Sequence, residues 1–353
     1  MDPLTQGVVG ITASQLVAKR SQKMIAAGLG FCSGMAADLD VLIKSDTDPL
    51  LFLEYHRHFT HALVFIPVGA LICALIFAGV FRHWRRRSEL SFGAIYRFCF
   101  AGYATHAVLD ACTTYGTQLF WPFSDARIAW NSVSVVDPLF TLPLLTIILV
   151  AVLRRSHHAA LFAMVYALGY LGVGAVQEHR ALDAARALAA SRGHAPVQLG
   201  VKPSFGNLIV WKSVYRHGDS YYVDAVRVLA KPEVYVGVSA PRLDLNQHFP
   251  WLERESQQAL DVARFAWFSN QHLGIDPQNP NRIIDIRYSL IPNQITGMWG
   301  ITLDQNATTA SHVAWSNSRP AGDAARQRLR ELWQMIRGDG AQPLDSIIRN
   351  RTS

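Results

Sequence analysis

The chain has 353 residues, half of them hydrophobic and only 17% charged, with a formal net charge of +7. Such apolarity argues against an ordinary soluble protein. The charge does not signal a nucleic-acid partner either, because residues 1–177 carry thirteen Lys/Arg against ten Asp/Glu and residues 178–353 twenty against sixteen. The four cysteines (Cys32, Cys73, Cys99 and Cys112) form no CxxC pair, which argues against a disulfide framework and a cysteine zinc site.

In chain order, uncharged runs cover Pro3–Ala18, Met24–Ala37, Ala62–Phe81, Pro138–Leu153 and Ala159–Val176. A further apolar stretch, Phe98–Leu109, holds His106 as its one ionisable group. A bilayer crossing needs roughly 20 residues, with about 17 as the lower end. Ala62–Phe81 and Ala159–Val176 meet that length, while the first two runs are short enough to be re-entrant. The pattern predicts a multi-pass α-helical membrane bundle of about six apolar segments over residues 1–177. The start, "MDPLTQ", lacks a basic leader region, so the first segment is expected to stay in the mature protein.

Loop charge predicts the orientation. Lys19, Arg20, Lys23, Arg82, Arg85, Arg86, Arg87, Arg154 and Arg155 sit in alternate loops, opposed there by Glu89. The other loops hold Asp2, Asp38, Asp40, Asp46, Asp48, Glu54, Asp110, Asp125 and Asp137. Basic loops stay in the cytoplasm. The acidic, histidine-rich loops and everything after residue 177 are therefore expected outside, which in a Gram-negative bacterium is the periplasm.

Four groups converge on that outer face. "ADLD" supplies Asp38 and Asp40, "YHRHFTH" supplies His56, Arg57, His58 and His61, "THAVLD" supplies His106 and Asp110, and "SVVDPLF" supplies Asp137. Imidazole nitrogen and carboxylate oxygen are donors that zinc, manganese or magnesium accept. His106 and Asp110, four apart, share one face of a helix, as His58 and His61, three apart, can. The expected metal ligands are His56, His61, His106, Asp110 and Asp38, with His58 and Asp137 as further candidates. Asp40 is expected to act as general base, and Arg57 to neutralise phosphate charge. Asp137 precedes a proline and equally suits a helix cap.

Together "MDPLTQ", "GMAADLDVLI", "YHRHFTHAL", "HAVLDACTTYGTQLFWPFS" and "VDPLF" resemble the membrane-bound metal-dependent hydrolase family, the inner-membrane group under LexA control. The resemblance spans roughly residues 1–145. Its hallmark falls on His56, Arg57, Thr60 and His61, with Ala62 where the family usually has serine. Its aspartate pair falls on Asp38 and Asp40, and its second motif on His106 and Asp110. The resemblance implies a metal-dependent hydrolase, and a looser likeness to zinc phospholipases C suggests a phosphoester.

After a connecting helix over 178–195, residues 196–353 read as a small α+β soluble domain. "NLIVWKSVY" and "SYYVDAVRVL" flank "RHGD", a hairpin signal, and "RIIDIRYSL" and "MWGITLD" form a second strand pair. The sequence thus predicts an integral-membrane hydrolase with a divalent metal. Its partners would be membrane lipids and a small or lipid-linked phosphoester, with no nucleic acid. The alternatives are an ion- or proton-coupled transporter and a non-enzymatic envelope protein using the same polar cluster structurally.

Overall fold

The computed structural model describes residues 1–80 and 90–352, with side chains through residue 349. The expected basic loop Arg82–Arg87 and the expected end of the third segment at Phe81 lie outside the described residues. The chain forms two compact units. The first comprises Met1–Ile43, Tyr55–Ala175 and Phe205–Asn207, and the second Lys44–Glu54, Val176–Ser204 and Leu208–Ser353.

The first unit is helical. Helix α1 (Pro3–Val17) begins where the Asp2 carboxylate accepts the Thr5 N–H at 3.0 Å, with proline at the first helical position. Helix α2 (Lys23–Met35) returns against it and continues through a 3₁₀ turn, Ala36–Leu42. A short helix α3 (Leu51–Tyr55) leads to 3₁₀ turns at Phe59–His61 and Leu63–Phe65, and then to α4 (Ile66–Val80). Helices α5 (Phe92–Ala111), α6 (Pro138–Leu153) and α7 (His157–Ser191) follow.

Small residues let three of these helices nearly touch. A Cβ added to Gly10 of α1 would stand 2.3 Å from the Gly30 carbonyl of α2, and one added to Gly102 of α5 would stand 2.6 Å from the same oxygen. Close backbone approach is how helices associate where water gives no hydrophobic drive. It also brings the end of α2 against the last two turns of α5, where His106 and Asp110 lie.

The unit is apolar on its outside. Leu71, Leu75 and Ile76 of α4, Leu142 and Leu153 of α6, and Phe162, Val165 and Leu168 of α7 are all exposed. Continuous apolar faces of this size are stable in lipid and not in water. Among the described residues three helices are long and apolar enough to cross a bilayer: Arg20–Leu42, Leu63–Val80 and His157–Ser191.

About six apolar segments were expected, the first two short enough to be re-entrant, and the difference has local causes. Helix α1 has 15 residues, roughly 22 Å against a hydrocarbon core of about 30 Å. It also buries Thr5, Gln6, Thr12, Ser14 and Gln15 inside the bundle. Helix α6 has 16 residues, and α5 carries Arg97, His106 and Asp110. The second segment, conversely, is lengthened to 23 residues by the 3₁₀ turns at its two ends.

Helix α7 starts in the first unit and ends in the second. The expected connecting helix is its last part, closed by Gly193 at φ +72°. The second unit holds two antiparallel sheets. Strands β1 (Gln198–Pro203), β2 (Val210–His217), β3 (Ser220–Val228) and β4 (Pro232–Pro241) pair in sequence order. The β2–β3 hairpin turns at Gly218 and Asp219, pairing His217 with Ser220. Strands β5 (Leu273–Asp276), β6 (Asn279–Asp285), β7 (Trp299–Thr302) and β8 (Ala314–Asn317) form the second sheet. Strand β9 (Gln342–Pro343) joins the edge of β4. Helices α8 (Leu245–His248), α9 (Gln257–Phe268), α10 (Gly322–Arg337) and α11 (Leu344–Thr352) complete the unit.

A strap from the helical half belongs to this second unit. Leu50 and Leu53 are buried with Phe249, Val262, Phe265, Ile283 and Ile301. Arg264 of α9 donates to both Asp48 oxygens at 3.0 and 2.8 Å, to Glu54 Oε1 at 2.6 Å and to Asp261 Oδ1 at 2.9 Å. Burial alone would raise the Asp48 carboxyl, yet Arg264 holds it below the usual carboxylate range. Residues 44–54 read in sequence as a plain acidic loop.

Candidate metal centre

Three backbone segments of the first unit meet at one end of the bundle. The turn Ala36–Leu42 carries Asp38 and Asp40, the turn Phe59–His61 carries His61, and the last two turns of α5 carry His106 and Asp110. His61, His106 and Asp110 are wholly buried, and the Asp38 side chain keeps 18% exposure.

The Nε2 atoms of His61 and His106 stand 2.9 Å apart. Asp38 Oδ1 lies 3.5 Å from the first and 3.4 Å from the second. Asp110 Oδ2 lies 3.3 and 3.8 Å from the same two atoms. A tetrahedral ion with bonds of about 2.0–2.1 Å separates its donors by roughly 3.3 Å. These separations lie close to that spacing, and one ligand atom from each of the four residues lies within 4.8 Å of the others.

The other face of each ring decides the tautomer. His106 Nδ1 is 2.6 Å from the Gly34 carbonyl, which can only accept, so Nδ1 carries the proton. His61 Nδ1 is 3.2 Å from Asp40 Oδ2 and 3.0 Å from Thr60 Oγ1. The Thr60 hydroxyl donates to Asp40 Oδ2 at 2.9 Å, so it accepts from His61. In both neutral rings the Nε2 lone pair is therefore left facing the other. Two acceptors at that distance repel unless a cation or a proton lies between them. Burial disfavours a charged His61, but the neighbouring carboxylates of Asp110, Asp38 and Asp40 outweigh that and push it up to about 10 when a proton takes the place.

Asp110 Oδ2 is buried and makes no hydrogen bond within the protein. The Arg57 Nε lies 3.0 Å away without hydrogen-bond alignment. Asp110 Oδ1 is occupied: it accepts from Gln6 Nε2 at 2.8 Å and from the Met1 nitrogen. One carboxylate oxygen is thus held by the protein, and the other is left for the centre of the cluster. The set of two imidazole lone pairs and two carboxylate oxygens fits a divalent cation.

The model of the YdjM inner membrane protein family matches residues 1–181, which carry every member of the cluster. The chain belongs to this family. No curated protein and no solved structure matches it. Membership of the YdjM inner membrane protein family places the chain in the inner membrane, in agreement with its apolar helices. The two sheets of the second unit lie beyond the matched residues.

Within the YdjM-matched region the remaining predicted residues separate. His56 stands at the edge of the cluster, 33% exposed, with Nδ1 2.8 Å from Asp40 Oδ1. Asp40 is occupied on both oxygens, since Oδ2 also accepts the Arg57 N–H at 2.9 Å and the Thr60 hydroxyl. The Arg57 guanidinium is buried against Asp110, donates to Thr113 Oγ1 at 3.0 Å, and lies 5.2 Å from the Tyr115 ring centre. His58 packs among Tyr55, Phe59 and Trp121, away from the ligand atoms. Asp137 caps α6, accepting from Leu139 N, Phe140 N and the Tyr170 hydroxyl.

Three supporting groups escaped sequence reasoning. Gln6, in an otherwise apolar helix, carried a usable signal: a buried amide in such a segment needs a polar partner. Thr113 sits one turn beyond Asp110 and orients Arg57. The Gly34 carbonyl, which fixes the His106 tautomer, is a backbone atom with no signature in residue type.

Proposed function

We propose that this chain is an integral inner-membrane hydrolase whose divalent metal is held by Asp38, His61, His106 and Asp110. The observation that carries the reading is the pair of Nε2 atoms 2.9 Å apart, both with Nδ1 spoken for, flanked by a buried carboxylate oxygen without a hydrogen bond. Two imidazoles favour zinc over magnesium, which prefers an all-oxygen shell; manganese accepts both donor types. A divalent cation there would acidify water and neutralise charge developing on an ester oxygen.

The protein's own groups supply the setting. Gly34 and Asp40 hold the two rings in the tautomers that present Nε2, an arrangement that typically strengthens metal affinity about 10- to 100-fold. Arg57 and Gln6 compensate Asp110, whose charge would otherwise be costly at full burial. Asp38, the partly exposed member, marks the side on which a substrate enters. The cluster lies where helices end rather than at mid-span, which suits a substrate with its head at the membrane–water interface. A phosphoester in a lipid or lipid-linked molecule is the substrate class we assign.

The side of the membrane follows from charge and chain path. The strap Lys44–Glu54 and the domain after Val176 belong to one compact unit, so both lie on one side of the bilayer. Between them α4 and α5 run out and back, because His61 and Asp110 meet at one end of the bundle, and α6 and α7, joined by a short turn, repeat the excursion. Lys19, Arg20 and Lys23 precede the first crossing and belong in the cytoplasm. The strap, the site and the domain are then periplasmic.

Purified protein should contain stoichiometric zinc, and chelation should abolish hydrolysis in a screen of phosphodiesters, phosphomonoesters and carboxyl esters. Protein that binds no divalent metal, or binds it equally after His61→Ala and His106→Ala, would remove the reading. With the native cysteines replaced, Ser220→Cys should react with an impermeant thiol reagent in spheroplasts while Ser21→Cys should not. The opposite labelling inverts the orientation.

A further inference from the structure

Asp40 and His56 form a second arrangement beside the metal ligands, and its chemistry differs from theirs. The Asp40 carboxylate accepts from His56 Nδ1 at 2.8 Å, the Arg57 N–H at 2.9 Å and the Thr60 hydroxyl at 2.9 Å, and lies 3.2 Å from His61 Nδ1. Four donors thus surround the carboxylate, three of them on Oδ2. Its position is that of an anchor. Because it can only accept, it fixes the proton of His56 on Nδ1 and leaves the Nε2 lone pair outward. Among the described residues Nε2 has no protein partner.

Exposure separates His56 from the three buried ligands. His61, His106 and Asp110 are closed to solvent, whereas His56 is 33% exposed and Asp38 18%. The site therefore opens on the His56 and Asp38 side. The His56 ring centre is 6.2 Å from that of His61, near enough to serve one bound substrate with the cluster. An imidazole held by a carboxylate on one nitrogen, with the other free at the mouth of a site, is how proteins place a proton acceptor.

From these contacts we infer that His56 is the proton-transfer residue of this site and not a metal ligand, with Asp40 as its positioning residue. The inference rests on the metal-centred reading above. In the hydrolysis of a phosphoester, His56 Nε2 takes a proton from the attacking water as the water oxygen bonds to phosphorus. The phosphorus–oxygen ester bond breaks, and His56 returns the proton to the leaving oxygen. Ester and water become acid and alcohol, and His56 ends as it began.

The test uses the full chain in detergent, with zinc and bis(para-nitrophenyl) phosphate as probes. Wild-type protein should hold one zinc in the cluster. His56→Gln and His56→Ala should keep that zinc with a Kd within about twofold, while turnover falls roughly 100-fold. Added imidazole should restore part of the turnover of His56→Ala, because the position is open to solvent. Loss of zinc from either variant, or two zinc ions in wild type and one in the variants, would make His56 a ligand and overturn the inference. Unchanged turnover in both variants would overturn it as well. Absence of zinc from wild type is a different failure, that of the metal centre itself.

Discussion

Two polar clusters, one in each unit, show how differently a protein can arrange the same residue types. In the second unit the Arg264 donors meet Asp48, Glu54 and Asp261, and Asp261 accepts in turn from His312 Nδ1 at 2.8 Å and Val313 N at 3.1 Å. Donors and acceptors there are matched, so the cluster is complete as protein. In the first unit, Asp38, Asp110 and two imidazole Nε2 atoms converge as acceptors, the ring N–H donors are turned outward to Gly34 and Asp40, and Gln6 donates to the far oxygen of Asp110. Charged residues in proximity are common. An excess of convergent acceptors is what distinguishes a cation site from a structural ion pair.

The largest expected effect tests that distinction directly. His61→Ala or His106→Ala should weaken zinc binding by more than about 100-fold, measured by competition with a chelating dye. Arg264→Ala should leave zinc stoichiometry unchanged. If the two kinds of variant lose zinc alike, the contrast between the clusters disappears.

Arg264→Ala should act on stability. It leaves Asp261, wholly buried, and Asp48 without their shared cation. A loss of about 2–3 kcal/mol is expected, short of the cost of breaking a fully buried pair, because Arg264 is partly exposed. Chemical unfolding followed by tryptophan fluorescence would measure it. An unchanged midpoint would mean that the strap is held by Leu50 and Leu53 alone.

Acid should separate the units next. His272 is buried, its Nδ1 donating to the Asn270 carbonyl at 2.7 Å. Burial, then Arg287, pushes it down to about 4. The fold therefore holds His272 neutral, while the unfolded chain takes up a proton below about pH 6.5. Stability is full above that pH and lost as pH falls from about 6.5 toward 4, by up to about 2 kcal/mol between pH 7 and 5. His272→Gln should flatten this slope. A slope of the same size in the variant would assign the acid sensitivity elsewhere.

The smallest effect is expected at His58, one of the three histidines of "YHRHFTH". Since it packs on Tyr55, Phe59 and Trp121, His58→Ala should change zinc affinity less than about twofold. A tenfold loss would enlarge the ligand set.

Residue type and spacing made much of this legible. His106 and Asp110 had to share a face, because four residues make about one helical turn. The Asp137–Pro138 pair announced a helix start, which α6 shows. The β2–β3 hairpin followed from β-branched strands around a Gly-Asp turn. Crossing number was less legible, because length and polarity act together. Buried Thr5, Gln6, Thr12, Ser14 and Gln15 keep α1 inside the bundle, although no charge interrupts it. Among the motif histidines, nothing in "YHRHFTH" says which ring turns inward. That is set by a 3₁₀ turn, by Arg57 at φ +64° and by the Asp40 carboxylate arriving from another segment.

By itself the sequence determined the apolar half, the strand-bearing half and the residue types at the site, because these depend on composition and on periodicity along one strand of chain. The tertiary structure decided which donors meet. Closure of α1, α2 and α5 over Gly10, Gly30 and Gly102 sets the approach of His106 to Gly34 and of Gln6 to Asp110. It also drew Lys44–Glu54 into the second unit. Contacts between residues tens to hundreds of positions apart depend on packing distances of a few ångströms, and no local pattern in the chain encodes those.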